Sequence, residues 1–162
     1  MRDLTIARLH EVLSYEPATG VFRWKVAFGK IRIVGSVAGR VNGKGYRYIW
    51  VDGKDYCAHR LAWHYVYGEW PVGKLDHKDC APDHNWIDNL RPATDSQNSA
   101  NRRLSKRSTS GFKGVTYENG WVAQIEKDRR HIRLGRFETA EQAHAAYLAA
   151  AKTIFGEFAR AA

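Results

Sequence analysis

Asp76, His77, Asn89 and Asn98 are the side chains through which this sequence offers chemistry. Asp76 and Asn98 present hard oxygen donors, which suit Mg²⁺ or Mn²⁺ better than a soft metal. Magnesium sites of this kind leave most coordination positions to water and phosphate oxygens. Neighbours on a strand point to opposite faces, so His77 would stand beside the ligand and take a proton from an attacking water. The chemistry suggested is phosphodiester hydrolysis assisted by one metal ion, which would stabilise charge on the phosphate and the leaving oxygen. Asn89 would hold the intervening loop and orient His77 through a hydrogen bond.

The elements that must position these groups lie within residues 73–103. The stretch reads as a strand ending in Asp76-His77, a polar loop, a short strand from Asn89, and a helix. Thr94-Asp95-Ser96-Gln97 fits a capping box, with a hydroxyl at the N-cap and Gln three residues on. Asn98 then falls about one turn inside the helix, where it can point back at the strand pair.

At these residues the chain resembles the HNH endonucleases, whose fold is a ββα-metal finger. Asp76-His77 matches the family's Asp-His, Asn89-Leu90 its Asn-Leu, and Asn98 takes the place of the last metal ligand. The resemblance implies His77 as general base, Asp76 and Asn98 as ligands of Mg²⁺ or Mn²⁺, and Asn89 as the central structural Asn. Asn at the last position, where many members carry His, resembles the phage and intron-encoded homing branch. A helix over 59–67, opening His59-Arg60-Leu61 and closed by Gly68 and Pro71, also resembles a segment that the homing members place before the catalytic strand. Taken without these flanks, Asp-His followed by Asn-Leu could be a polar loop.

Composition narrows the partners. The 162 residues carry a net charge of +9, and 44% are hydrophobic, enough for one domain or two small ones. Residues 101–162 hold 12 Lys/Arg against 6 Asp/Glu, whereas residues 1–100 hold 14 against 11. An excess concentrated in the second part favours an anionic partner, and nucleic acid is the commonest. No membrane-spanning run or signal-peptide pattern is expected, and no protein partner is evident. Cys57 and Cys80 do not make a disulfide framework, so a reducing cytoplasm is the simplest compartment. Cys80 and His84 lie close together, but no second pair at finger spacing argues for a structural zinc.

Ahead of the site, apolar residues at 6, 9, 12 and 13 predict a helix over 4–15, followed by a turn at 16–20 and a strand over 21–26. Residues 27–45, with Lys30, Arg32, Arg40 and Lys44, predict short strands joined by loops. Strands over 46–51 and 55–58 would be joined by an Asp52-Gly53 hairpin turn. Basic residues here are either phosphate contacts or a solvated surface.

Residues 102–111 look like a basic linker, rich in Ser, that runs along a phosphate backbone or merely tethers. Beyond it, strands over 111–117, 121–127 and 131–137 precede an Ala-rich helix over 139–155 with a second capping box from Thr139 to Gln142. This half resembles the Apetala-two/ethylene-response-factor (ERF) DNA-binding domain of plants, which is also found joined to phage HNH nucleases. The matching stretches are 111–115, 121–126, 134–139 and 143–156. By position, Lys113, Thr116, Gln124, Glu126, His131 and Arg133 fall where that family reads DNA from its sheet, although its Arg and Trp readers are largely absent. Arg102, Arg103, Lys106, Arg107 and Arg129 add candidate phosphate contacts.

The sequence therefore predicts an α+β chain of two modules. Residues 1–104 form an HNH endonuclease domain with its finger near 73–104, 105–110 the linker, and 111–160 a three-stranded antiparallel sheet on one helix. The expected activity is metal-dependent hydrolysis of double-stranded DNA in a bacterial cytoplasm, from a phage or prophage element by resemblance. The alternatives are a non-catalytic DNA-binding protein that keeps the finger, and a structure-selective or RNA-directed nuclease.

Overall fold

A computed structural model describes residues 4–29 and 33–161. Lys30 and Arg32, expected on loops between short strands, lie outside the described residues. The chain is mixed α and β, with small sheets and four helices among the described residues, and it divides into two compact units, 1–92 and 93–162. The division falls at Pro92/Ala93, ahead of the basic stretch at 105–110 where the sequence placed a linker.

In the first unit, α1 (Ile6–Val12) opens on Thr5, whose hydroxyl accepts from Arg8 N. The helix stops at Val12, earlier than its periodicity predicts. Leu13–Glu16 is instead β1, paired antiparallel with β2 (Val21–Trp24). The apolar pair Val12-Leu13 suits either element, and pairing decides it. As strand residues, Leu13 and Tyr15 share a face and are both buried. The turn between them brings Gly20 onto the backbone of Asn85 and Trp86. A Cβ there would lie 2.3 Å from Asn85 C and Trp86 N, and φ is +74°.

A second sheet joins β3 (Arg40–Val41), β4 (Arg47–Val51) and β5 (Lys54–Cys57) in that order. Asp52, at φ 47°, begins the predicted hairpin turn, and Arg8 grips its carboxylate through two hydrogen bonds. Helix α2 (Ala58–Tyr67) buries Ala58, Leu61, Ala62 and His64, and Gly68 N closes it on His64 O. Phe22, Leu9, Leu13, Ile49, Leu61 and Val51 form the centre of the core that supports these elements. The unit ends in β6 (Lys74–His77), a 3₁₀ turn at Ile87–Asn89, and β7 (Leu90–Ala93), which pairs with β6.

The second unit begins with α3 (Asp95–Asn101), whose capping box at Thr94 and Gln97 is formed as expected. It continues in the antiparallel sheet β8 (Val115–Tyr117), β9 (Trp121–Lys127) and β10 (Arg130–Phe137), order β10-β9-β8, packed on α4 (Ala140–Phe155). The second capping box, at Thr139 and Gln142, is also formed. β8 is shorter than predicted because Gly114 turns at φ +70° under the Tyr147 ring, with its carbonyl accepting from Gln124 N. Residues 105–110 are built into this unit: Ser108 N donates to Ser105 O, and Ser110 Oγ donates to Val115 O at 2.8 Å. Ala100 of α3 shares a core with Ile125, Tyr147, Ala151, Phe155 and Phe158, which explains why α3 groups with this unit.

Candidate functional site

Asp76 and His77 end β6 as adjacent buried side chains. Arg60, from α2, donates to the carbonyls of Pro71 (3.1 Å) and Gly73 (2.8 Å), fixing the chain where it enters that strand. The guanidinium is therefore a backbone clamp. Across the hairpin, Arg91 of β7 donates from Nε to Asp76 Oδ2 at 2.9 Å, and their side chains are only 10% and 5% exposed. This buried ion pair helps offset the cost of carrying the Asp76 carboxylate out of water.

His77 is held from two sides. Its Nε2 lies 3.1 Å from Asn85 Oδ1, while its ring contacts His59 at 5.2 Å and Tyr46 at 6.2 Å between centroids. Burial pushes its pKa below the ordinary histidine value, although the Asn85 hydrogen bond and the carboxylates of Asp79 and Asp76 act in the other direction. Burial and the adjacent His77 hold His59 down to about 3. Both rings are therefore neutral at pH 7, the state a proton acceptor needs.

Asn89 closes the loop between the strands. Its Oδ1 accepts from Asp79 N, and its Nδ2 donates to Asp79 Oδ1 at 3.0 Å and to His84 O at 2.8 Å. The loop-holding role expected of Asn89 thus has a geometric basis, but the partner on His77 Nε2 is Asn85. Asp79 also faces His84 Nδ1 at 2.5 Å. Burial raises the Asp79 carboxyl, and hydrogen bonds from Ala81 N, Asn89 and His84 outweigh it, leaving it below the usual value. Asp83 takes a two-point hydrogen bond from Arg47 of β4, at 2.8 Å on each oxygen. Asn85 and Arg91 carry no motif signature that separates them from other polar residues, whereas His59 stands in the His59-Arg60-Leu61 opening of the predicted helix. A buried Asn, seen only once the chain is folded, is the sign that marks Asn85.

Asn98 stands on α3 one turn past the Thr94 N-cap and is half-buried. It belongs to the second unit, whereas Asp76, His77 and Asn89 belong to the first. As a donor set, a carboxylate and a side-chain amide oxygen suit a hard divalent cation.

The second unit gathers the sheet candidates. Strand register sets Thr116 opposite Val122, Gln124 opposite Arg133 and Glu126 opposite His131, so these side chains share one face of the sheet. Ala123 and Ile125 point the other way, into the cores beneath α4. Arg136, opposite Val122, joins the polar face and was missed in the sequence. His131, Arg133, Glu126 and Arg129 are exposed, as are Arg102, Arg103, Lys106 and Arg107. Arg133 lies 3.6 Å from Glu118. Lys113 departs from its expected place on the reading face. Its ammonium donates to the carbonyls of Ala100, Arg102 and Arg160, holding the end of α3 within the unit.

No curated protein and no solved structure matches the chain. The model of the HNH endonuclease family does match, over residues 56–100, a segment that contains Asp76, His77, Asn89 and Asn98 and points to nuclease chemistry on nucleic acid.

Proposed function

We propose that the protein is a metal-dependent DNA endonuclease of the HNH type that cuts by hydrolysis. The observation that carries this reading is the buried His77, oriented by Asn85 beside a buried carboxylate, inside the segment matched by the HNH endonuclease model. His77 takes the proton of the attacking water as the water oxygen bonds to phosphorus. The sugar oxygen leaves as its bond to phosphorus breaks, and it is protonated from solvent. Asp76 and Asn98 would hold Mg²⁺ or Mn²⁺, which when bound supplies charge stabilisation on the phosphate and the leaving oxygen. Asn89 keeps the loop between β6 and β7 closed around His77.

Double-stranded DNA is the proposed partner. Exposed Arg102, Arg103, Lys106, Arg107 and Arg129 would contact phosphates, and the ERF-like face of Thr116, Gln124, Glu126, His131 and Arg133 would set register. Lys113 is not part of this set. A cytoplasmic setting in a bacterial host, on a phage-borne or prophage element of the homing type, is the context we propose. Among the described residues no helix is long and apolar enough to cross a membrane.

The Arg91–Asp76 ion pair favours a second reading, a non-catalytic DNA-binding protein in which the guanidinium stands where a cation would. One experiment separates them. Supercoiled plasmid and genomic DNA are incubated with the protein and Mg²⁺, Mn²⁺ or EDTA, beside His77→Ala. Metal-dependent nicking or linearisation that His77→Ala abolishes, with DNA affinity kept, supports the nuclease. DNA binding without cleavage under either metal supports the second reading.

A further inference from the structure

We propose that Asn85 is a positioning residue, its amide oxygen accepting the Nε2 proton of His77 and its own orientation fixed by Asp83, Arg47 and Tyr15. The claim rests on the reading of His77 as general base, and it concerns a residue outside the Asp-His, Asn-Leu and Asn98 positions.

Asn85 is 1% exposed. Its Nδ2 lies 3.1 Å from Asp83 O and 3.5 Å from Asp83 Oδ1, and its Oδ1 lies 3.1 Å from His77 Nε2. A carbonyl and an ionised carboxylate only accept, so the nitrogen end of the amide must face Asp83 and the oxygen end must face His77. His77 Nε2 is therefore the protonated nitrogen, and the basic lone pair of the neutral ring resides on Nδ1. The opposite tautomer would set two lone pairs against each other in a buried space, which is costly.

The rest of the first unit keeps this amide from turning. Arg47 holds Asp83 through both carboxylate oxygens. The Tyr15 hydroxyl, from β1, donates to Asn85 O at 2.7 Å in a buried bond. Gly20 lies against the Asn85 backbone, and Ile87 N donates to Pro17 O. The β1–β2 hairpin, remote in sequence, thus acts as a brace for the loop that aligns the base.

The full chain, labelled with ¹⁵N-histidine, is studied as wild type and as Asn85→Ala and Tyr15→Phe. Long-range ¹H–¹⁵N spectra at about pH 8, where neutral rings dominate, give the His77 tautomer, with His77→Ala identifying the signal. Wild type is expected to show Nε2–H, and Asn85→Ala a tautomer mixture. Single-turnover plasmid nicking should slow about 100-fold in Asn85→Ala and about 3- to 10-fold in Tyr15→Phe, with DNA affinity unchanged. An Asn85→Ala protein with an unaltered His77 spectrum or an unaltered rate overturns the proposal. If that variant does not fold, Tyr15→Phe decides, and wild-type rate and spectrum there overturn it. A wild type that cuts no DNA removes the nuclease reading alone, because the His77 spectrum still decides the role of Asn85.

Discussion

Replacing Arg91 by Met tests both the energetics of the site and its metal. The side chain keeps similar length and apolar volume but removes the guanidinium 2.9 Å from Asp76 Oδ2. Both partners are almost fully covered, so solvent screens the pair poorly. Removing one member of a buried pair usually costs about 3–5 kcal/mol, since the remaining charge stays desolvated. The expected loss is about 3 kcal/mol. Urea unfolding in EDTA, for wild type, Arg91→Met, Asp76→Asn and the double variant, measures it. Asp76→Asn should suppress most of the cost of Arg91→Met, because no buried carboxylate remains. If Asp76 is also a ligand, Mg²⁺ or Mn²⁺ should stabilise Arg91→Met more than wild type, by about 2.7 kcal/mol at a hundred times the dissociation constant. A loss below about 1 kcal/mol in EDTA would refute the ion-pair reasoning. A full loss with no selective rescue by divalent cations would leave the pair intact as an idea and remove Asp76 as a ligand.

Gly20→Ala should destabilise the first unit by more than about 2 kcal/mol, from its positive φ and its contact with the Asn85–Trp86 backbone; a urea midpoint equal to wild type would contradict this. Stability should also fall with acid. The folded His59 pKa of about 3 lies below its ordinary 6.5, so the unfolded chain binds the extra proton first. The favourable contribution is complete above about pH 6.5 and is lost as pH falls toward 3, on the order of 5 kcal/mol. Buried His77 acts in the same direction, and His59→Gln should flatten the profile measured by unfolding from pH 7 to 4. Finally, Arg107→Gln with Arg129→Gln should weaken DNA binding at all sequences and reduce the salt slope by roughly two. An unchanged slope would exclude these side chains as phosphate contacts.

Much of this protein is legible because its signals are short in range. The capping boxes at Thr94 and Thr139 need only a hydroxyl and a Gln three residues later, and both are formed. Asp52-Gly53 specifies its hairpin turn through local backbone preference, and Gln124, Glu126, His131 and Arg133, which the ERF resemblance grouped by position, share one face of the sheet. Asp76-His77 at a strand end could likewise be read from type and spacing, and the second strand, expected from Asn89, begins at Leu90. Tertiary structure decided what depends on distant partners. Val12-Leu13 fits helix or strand until β2 pairs with Leu13–Glu16. Lys113 looks like any exposed cation until the carbonyls of α3 surround it. Asp76 gains Arg91, and His77 gains Asn85, only when residues 8 to 15 positions away fold against them. Tyr15 reaches Asn85 across 70 positions. A side chain's type states what it can donate or accept, but which partner it finds, and how far water is excluded from the bond, is set only when the chain has packed.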